Sequence, residues 1–227
     1  MKRVIVIAGH YGSGKTELAV SLAMQWAGEE SRPYEKLALV DLDVANPYFR
    51  SREKREMLEK SGVEVHADTF GGMQAAELPA LTATLRAPLE NPNCQTIIDL
   101  GGNDAGARVL RQFAKYFQGD EHELWAVVNF RRYETRDVQS AIEHVAAIEK
   151  ELSMQVTGIV NNTHLLRETV PEIIMEGHAK AQELSHAMKN PLLFTCYPAG
   201  IVREESLEGI SPLMPLGLFM RPAYLDK

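Results

Sequence analysis

Residues 9–16 read Gly-His-Tyr-Gly-Ser-Gly-Lys-Thr, which completes the spacing G-x-x-x-x-G-K-[ST]. The flanks fit that pattern. Arg3 to Ala8 is an apolar, β-branched run that reads as a buried strand, and Thr16 to Trp26 carries Leu18, Leu22 and Trp26 at helical spacing. Strand, glycine-rich loop and helix, in that order, are the context in which such a loop cradles phosphate. Gly9, Gly12 and Gly14 can take positive φ and let the backbone curl into a concave nest. Its N–H groups then point at phosphate oxygens, with the positive end of the helix dipole behind them. Lys15 adds a point charge for the outer phosphates. Thr16 offers a hydroxyl to Mg²⁺, a hard ion that takes oxygen ligands. The stretch from Gly9 to Glu17, including His10, Tyr11 and Ser13, is therefore the candidate nucleotide-binding segment. His10 itself reads as a position that tolerates any side chain. The dinucleotide spacing G-x-G-x-x-G cannot be laid on these glycines.

The 227 residues, 45% hydrophobic and 24% charged, fit one soluble α/β domain spanning 1–227. A net charge of −7 argues against broad nucleic-acid binding. Cys94 and Cys196 stand far apart and form neither a metal spacing nor a disulfide framework. Met1 leads straight into the first strand, and no apolar run approaches membrane-span length. The expectation is a cytoplasmic protein with no membrane insertion and no nucleic-acid partner.

Strand-like runs at 3–8, 37–41, 63–66, 95–100, 123–129, 155–160 and 192–196 alternate with helical patterns at 15–28, 48–60, 75–86, 104–117, 135–150 and 168–188. This alternation predicts an α/β three-layer sandwich of the P-loop NTPase type. Its sheet is mostly parallel, of about seven strands, with helices on both faces. From Gly209 to Lys227 the chain carries Pro212, Pro215 and Pro222 and is expected to form an irregular tail.

Ligands of open α/β sheets sit at the carboxyl ends of the strands, so the residues just after each strand bear on chemistry. After the second strand come Asp41 and Asp43, two apart and on one side of the chain. After the fourth comes Asp99, followed by Gly101 and Gly102. Asp41 and Asp99 are candidate Mg²⁺ ligands beside Thr16. Asp43 is the candidate residue that orients an attacking water, next to Lys15 as the second catalytic residue. Gly102 can bring a backbone N–H to the γ-phosphate. After the sixth strand, Asn161 and Asn162 are candidate readers of a purine base. His164 stands where a guanine reader carries a carboxylate, which favours ATP. Arg131, Arg132 and Arg136 follow the fifth strand and are candidates for an anionic acceptor or a partner's carboxylates.

GHYGSGKT at 9–16, VDLDVANPYFRSRE at 40–53, IIDLGGNDAGAR at 97–108 and VNN at 160–162 together resemble the MinD/ParA/CobQ-CobB family of P-loop ATPases. Nitrogenase iron protein, arsenite-pump ATPase and dethiobiotin synthetase belong to the same larger group. The resemblance implies ATP and Mg²⁺ at the edge of a parallel sheet, slow hydrolysis, and often an ATP-dependent homodimer. It implies Lys15 and Thr16 on phosphate and metal, Asp41 and Asp43 in a first switch, Asp99 at the metal and Asn161 near the base. The chain departs from MinD and ParA at His10, where those proteins carry a lysine that crosses to the partner's nucleotide. It also lacks the cysteine pair of the nitrogenase iron protein, and prolines break its tail. The function implied is a nucleotide-dependent switch acting on a protein partner. The alternative is an ATP-dependent small-molecule ligase or kinase, with Arg131 and Arg132 shaping the acceptor pocket.

Overall fold

Apolar strands buried on both faces and helices with one apolar stripe pack in only a few ways, and one of them is seen here. The computed structural model describes residues 2–42, 54–67, 85–101, 104–117 and 119–220. The strands are β1 (Val4–Gly9), β2 (Lys36–Asp41), β3 (Val63–Ala67), β4 (Cys94–Asp99), β5 (His122–Val128), β6 (Gly158–Asn161), β7 (Leu192–Pro198) and β8 (Leu213–Leu216). The helices are α1 (Lys15–Ala27), α2 (Arg55–Lys60), α3 (Asp104–Gln112), α4 (Val138–Leu152) and α5 (Pro171–Met188). Residues 85–90 are also helical. The eight strands form one sheet in the order β3-β2-β4-β1-β5-β6-β7-β8, and every pairing is parallel.

Successive residues of a strand face opposite sides, and β1 divides its apolar side chains between two cores in this way. Val4, Val6 and Ala8 pack with Ala107 and Leu110 of α3 and with Val145 and Ile148 of α4. Ile5 and Ile7 pack on the other side with Leu18, Ala19, Leu22, Ala23 and Trp26 of α1. The result is three layers with β1 at the centre, buried along its whole length. Each such Val, Ile or Leu contributes about 1.5–3 kcal/mol. That packing fixes β1, and β1 fixes the loop that leaves it. Among the described residues no helix is long and apolar enough to cross a membrane.

The sheet has one strand more than expected. Leu213–Leu216 pairs with β7 inside the stretch expected to be irregular from about 209. Pro215 fits because β8 is an edge strand, which can leave a missing N–H on its open side. Helix starts also differ. The pattern at 135–150 begins at Val138, because Asp137 accepts from Ser140 N at 2.8 Å and caps the helix there. The pattern at 168–188 begins at Pro171, a residue suited to the first helical turn. Of the expected helices at 48–60 and 75–86, residues 48–53 and 75–84 lie outside the described residues.

Candidate functional site

The loop between β1 and α1 is held in a conformation only glycine fits. Gly12 and Gly14 have φ of +77° and +86°. A Cβ on Gly9 would lie 2.5 Å from the Val127 carbonyl of β5, and one on Gly14 would collide with the Asn162 amide. Ser13 N donates to His10 O at 3.1 Å, and Lys15 Nζ donates to the same carbonyl at 2.9 Å. The lysine amine therefore folds back across the loop. Gly14 occupies the N-cap of α1 and supplies no side-chain cap to the first turn. The first N–H groups of α1 are thus aimed past the loop, as an anion site requires. Thr16 is buried in the first turn, whereas Tyr11 is 62% exposed on the rim.

Register gathers the carboxylates beside this loop. Asp99 of β4 pairs with Ile7 of β1 on one side and with Asp41 of β2 on the other. Both aspartates are buried, Asp99 completely. Carboxylate oxygens are the kind of ligand a hard ion such as Mg²⁺ takes. Among the described residues no three His, Cys, Asp or Glu side chains form a metal-binding group by themselves. Asp43 and Gly102 lie outside the described residues.

The two asparagines after β6 turn in different directions. Asn162 Nδ2 donates to Ser13 O at 2.6 Å and braces the loop from below. Asn161 is fully buried, with its side chain directed into the fold. Its Oδ1 accepts from Thr163 Oγ1 at 2.6 Å, and its Nδ2 donates to Thr195 Oγ1 at 3.3 Å. That threonine lies 2.8 Å from His178 Nδ1 of α5. In this geometry Asn161 ties β6 to β7 and has no edge free to meet a base.

Glu17, placed by its sequence position at the nucleotide, also faces elsewhere. Its carboxylate accepts from Phe219 N at 2.7 Å and Met220 N at 2.9 Å. Ser21, one turn on, accepts from Gly217 N at 3.0 Å. Burial raises the Glu17 pKa even though these two N–H donors act to lower it. The first two turns of α1 thus hold the segment after β8.

Two histidines that line the loop are kept neutral. His144 of α4 stands 5.6 Å from the His10 ring, centre to centre. Burial depresses it to about 4, helped by the nearby Lys15 charge. His164 is depressed to about 4 by burial and by Arg132. Its Nδ1 accepts from Leu166 N at 3.2 Å, which assigns the proton to Nε2. His10 does more than fill a tolerant position: its Nδ1 lies 2.7 Å from Tyr11 O and 3.5 Å from Glu134 Oε2.

The arginines after β5 separate. Arg131 pairs with Glu176 of α5 at 2.6 Å, and Arg136 with Asp137 at 3.5 Å. Arg132 turns to the loop, where its Nε donates to Gly12 O at 2.9 Å. Sequence reading did not single out Asn129, Glu134 or His144. Asn129, a polar residue just past the buried end of β5, could have been noticed as the anchor of this turn. Glu134 and His144 carried no signal of their own.

The chain matches no protein-family model and no curated protein. Solved structures do resemble it. The cell division protein FtsY of Thermotoga maritima superposes with a TM-score of 0.57 at 20% identity, covering 91% of this chain and 64% of its own. The signal recognition particle receptor FtsY of Elizabethkingia anophelis, in complex with GDP, gives 0.55 at 19% identity over 86% of this chain and 57% of its own. The signal recognition particle 54 kDa protein of Aeropyrum pernix, also with GDP, gives 0.55 at 19% identity over 91% and 43%. The chain therefore spans 43% to 64% of the length of these proteins. At such identities the likeness establishes the fold. It is a P-loop NTPase-like α/β fold.

Proposed function

We propose that the chain is an Mg²⁺-dependent nucleoside triphosphatase, with ATP as its nucleotide, that works as a switch on a protein partner. The observation that carries this is the loop at 9–16. Gly9 and Gly14 have no room for a Cβ, Gly12 and Gly14 hold a left-handed backbone, and the lysine amine is folded over the nest. The β- and γ-phosphates are held by loop N–H groups and Lys15. Thr16, Asp41 and Asp99 would hold Mg²⁺, which would neutralise charge on the phosphate oxygens. Asp43 orients the attacking water. Residues following Asp41 and Gly101 respond to the γ-phosphate as switch segments.

His164 supports ATP over GTP. A neutral imidazole with its proton on Nε2 cannot replace the carboxylate that accepts from the guanine N1 and N2 donors. The GDP bound by the FtsY and 54 kDa neighbours makes GTP the competitor to test. The motif likeness to the MinD/ParA/CobQ-CobB family supports the switch role, and a homodimer belongs to the same proposal. The separation of Arg131 from Arg132 weighs against a shared acceptor pocket.

The test is binding and steady-state turnover with Mg-ATP and with Mg-GTP, for the wild type, Lys15→Ala and Asp43→Ala. The expected result is slow turnover that prefers ATP. Lys15→Ala should lose nucleotide affinity, and Asp43→Ala should bind normally and turn over at least about 100-fold more slowly. Normal turnover by Asp43→Ala removes that residue from the mechanism. Turnover that appears only with an added acceptor replaces the switch with a ligase or kinase.

A further inference from the structure

Arg132 reaches the phosphate loop from a distant part of the chain, 120 positions from the carbonyl it meets. The turn that presents it is firmly built. Arg132 N donates to Asn129 O at 3.0 Å, and Thr135 N donates to Arg132 O at 3.2 Å. Thr135 Oγ1 donates to Asn129 O at 2.7 Å. The Asn129 side chain holds Arg131 N at 2.9 Å and the His164 carbonyl at 3.3 Å, so the turn is tied to the segment after β6 as well.

Charge balance sets this arginine apart from its neighbours. Arg131 is neutralised by Glu176, and Arg136 by Asp137. Arg132 pairs with no carboxylate among the described residues. Its Nε is taken by Gly12 O, and its two terminal nitrogens bond no described residue. A guanidinium has five donors in a planar fork. Here one donor fixes the fork on the rim of an anion-binding nest and the others remain for a ligand. Carboxylate and phosphate oxygens are the acceptors that such a fork fits best.

We infer that Arg132 is a catalytic arginine supplied within the chain, whose terminal nitrogens bond oxygens of the terminal phosphate as it is transferred. The inference rests on the nucleoside triphosphatase reading above. In the step concerned, a water oxygen forms a bond to the terminal phosphorus. The bond from that phosphorus to the bridging oxygen breaks, and its electron pair stays on the departing diphosphate. One water proton stays on the new P–OH and the other goes to a second oxygen of the inorganic phosphate, which exchanges it with solvent. Arg132 moves no proton. It offsets the negative charge on the equatorial oxygens and the charge that develops on the bridging oxygen as its bond breaks. Lys15 and Arg132 then grip the phosphates from opposite parts of the sequence, one from α1 and one from the turn after β5.

The experiment compares wild type, Arg132→Ala and Arg132→Lys. It measures kcat, the affinity for nucleoside diphosphate, and capture of diphosphate with aluminium fluoride, a mimic of the phosphoryl group in transfer. Arg132→Ala is expected to lower kcat by about 100-fold, to bind diphosphate nearly as wild type does, and to fail to capture aluminium fluoride. Arg132→Lys, which keeps the charge without the fork, falls between the two. Unchanged kcat and capture in Arg132→Ala overturn the inference, as does loss of diphosphate binding, which would make Arg132 a brace of the loop. A wild-type chain that binds diphosphate and hydrolyses triphosphate while Arg132→Ala matches it leaves the triphosphatase reading standing alone. A wild-type chain that binds no nucleotide removes both.

Discussion

Asn162 shows how one side chain can set the shape of a loop it does not belong to. Its amide nitrogen reaches Ser13 O at 2.6 Å, and its place is available only because Gly14 has no Cβ. The pair is reciprocal: an asparagine needs the glycine, and the glycine's left-handed backbone is held by the asparagine. Removing the amide leaves a buried carbonyl without its donor, which costs about 1–3 kcal/mol. Asn162→Ala is therefore expected to lower the urea midpoint and to weaken nucleotide binding together. Unchanged affinity in a variant that is measurably less stable would show that the loop keeps its shape without the brace.

At the scale of elements, α1 has two jobs on two sides. Its first N–H groups follow the phosphate loop, while Glu17 and Ser21 hold residues 217–220 by three backbone N–H groups. These contacts join the first helix to the stretch after β8, so the site and the far edge of the sheet share one rigid rod. Glu17→Ala removes two charge-assisted acceptors at once. The expected outcome is faster proteolytic cutting after β8, with the rest of the sheet still protected, read by limited proteolysis and mass spectrometry. Equal cutting rates in both proteins would mean that the apolar contacts of Phe219 and Met220 with the α1 face hold the segment by themselves.

For the molecule as a whole, the buried histidines set the response to acid. His144 and His164 ordinarily titrate near 6.5 but are held at about 4 in the fold. Between those values the unfolded chain binds more protons, so stability is full above about 6.5 and is lost as pH falls towards 4. Glu17 acts the other way. Its raised pKa favours the fold at low pH and withdraws that support as pH rises above its ordinary 4.5. His122 and His178 are shifted down in the same way by burial, and the four histidines outweigh one glutamate, so the urea midpoint should drop between pH 7 and pH 5. The double variant His144→Asn, His164→Asn should show a flatter profile, and an equally steep one would place the acid response elsewhere.

The same scale explains what the sequence could reveal. The phosphate loop was legible because its glycines and lysine are local, and the strands because continuous apolar runs need no partner to be recognised. β8 was hidden by its prolines, which mark a turn until the strand is known to lie at an edge. The different fates of Asn161, the last residue of β6, and Asn162, the next one, depend on which way each faces, and that is fixed by the pairing of β6 with β5 and β7. Glu17 misled because its partners lie 202 and 203 positions away. Arg132 looked like its neighbours because only contacts across the fold show which arginines already have a carboxylate.

The grip of Glu17 on Phe219 and Met220 has a consequence for synthesis. The glycine loop leaves the ribosome before the backbone groups that steady its helix, which emerge some two hundred residues later. Until then a nascent chain carries the glycine loop on a helix whose Glu17 carboxylate lacks two of its N–H donors. The support of the loop made first is therefore completed only when the stretch after β8 docks.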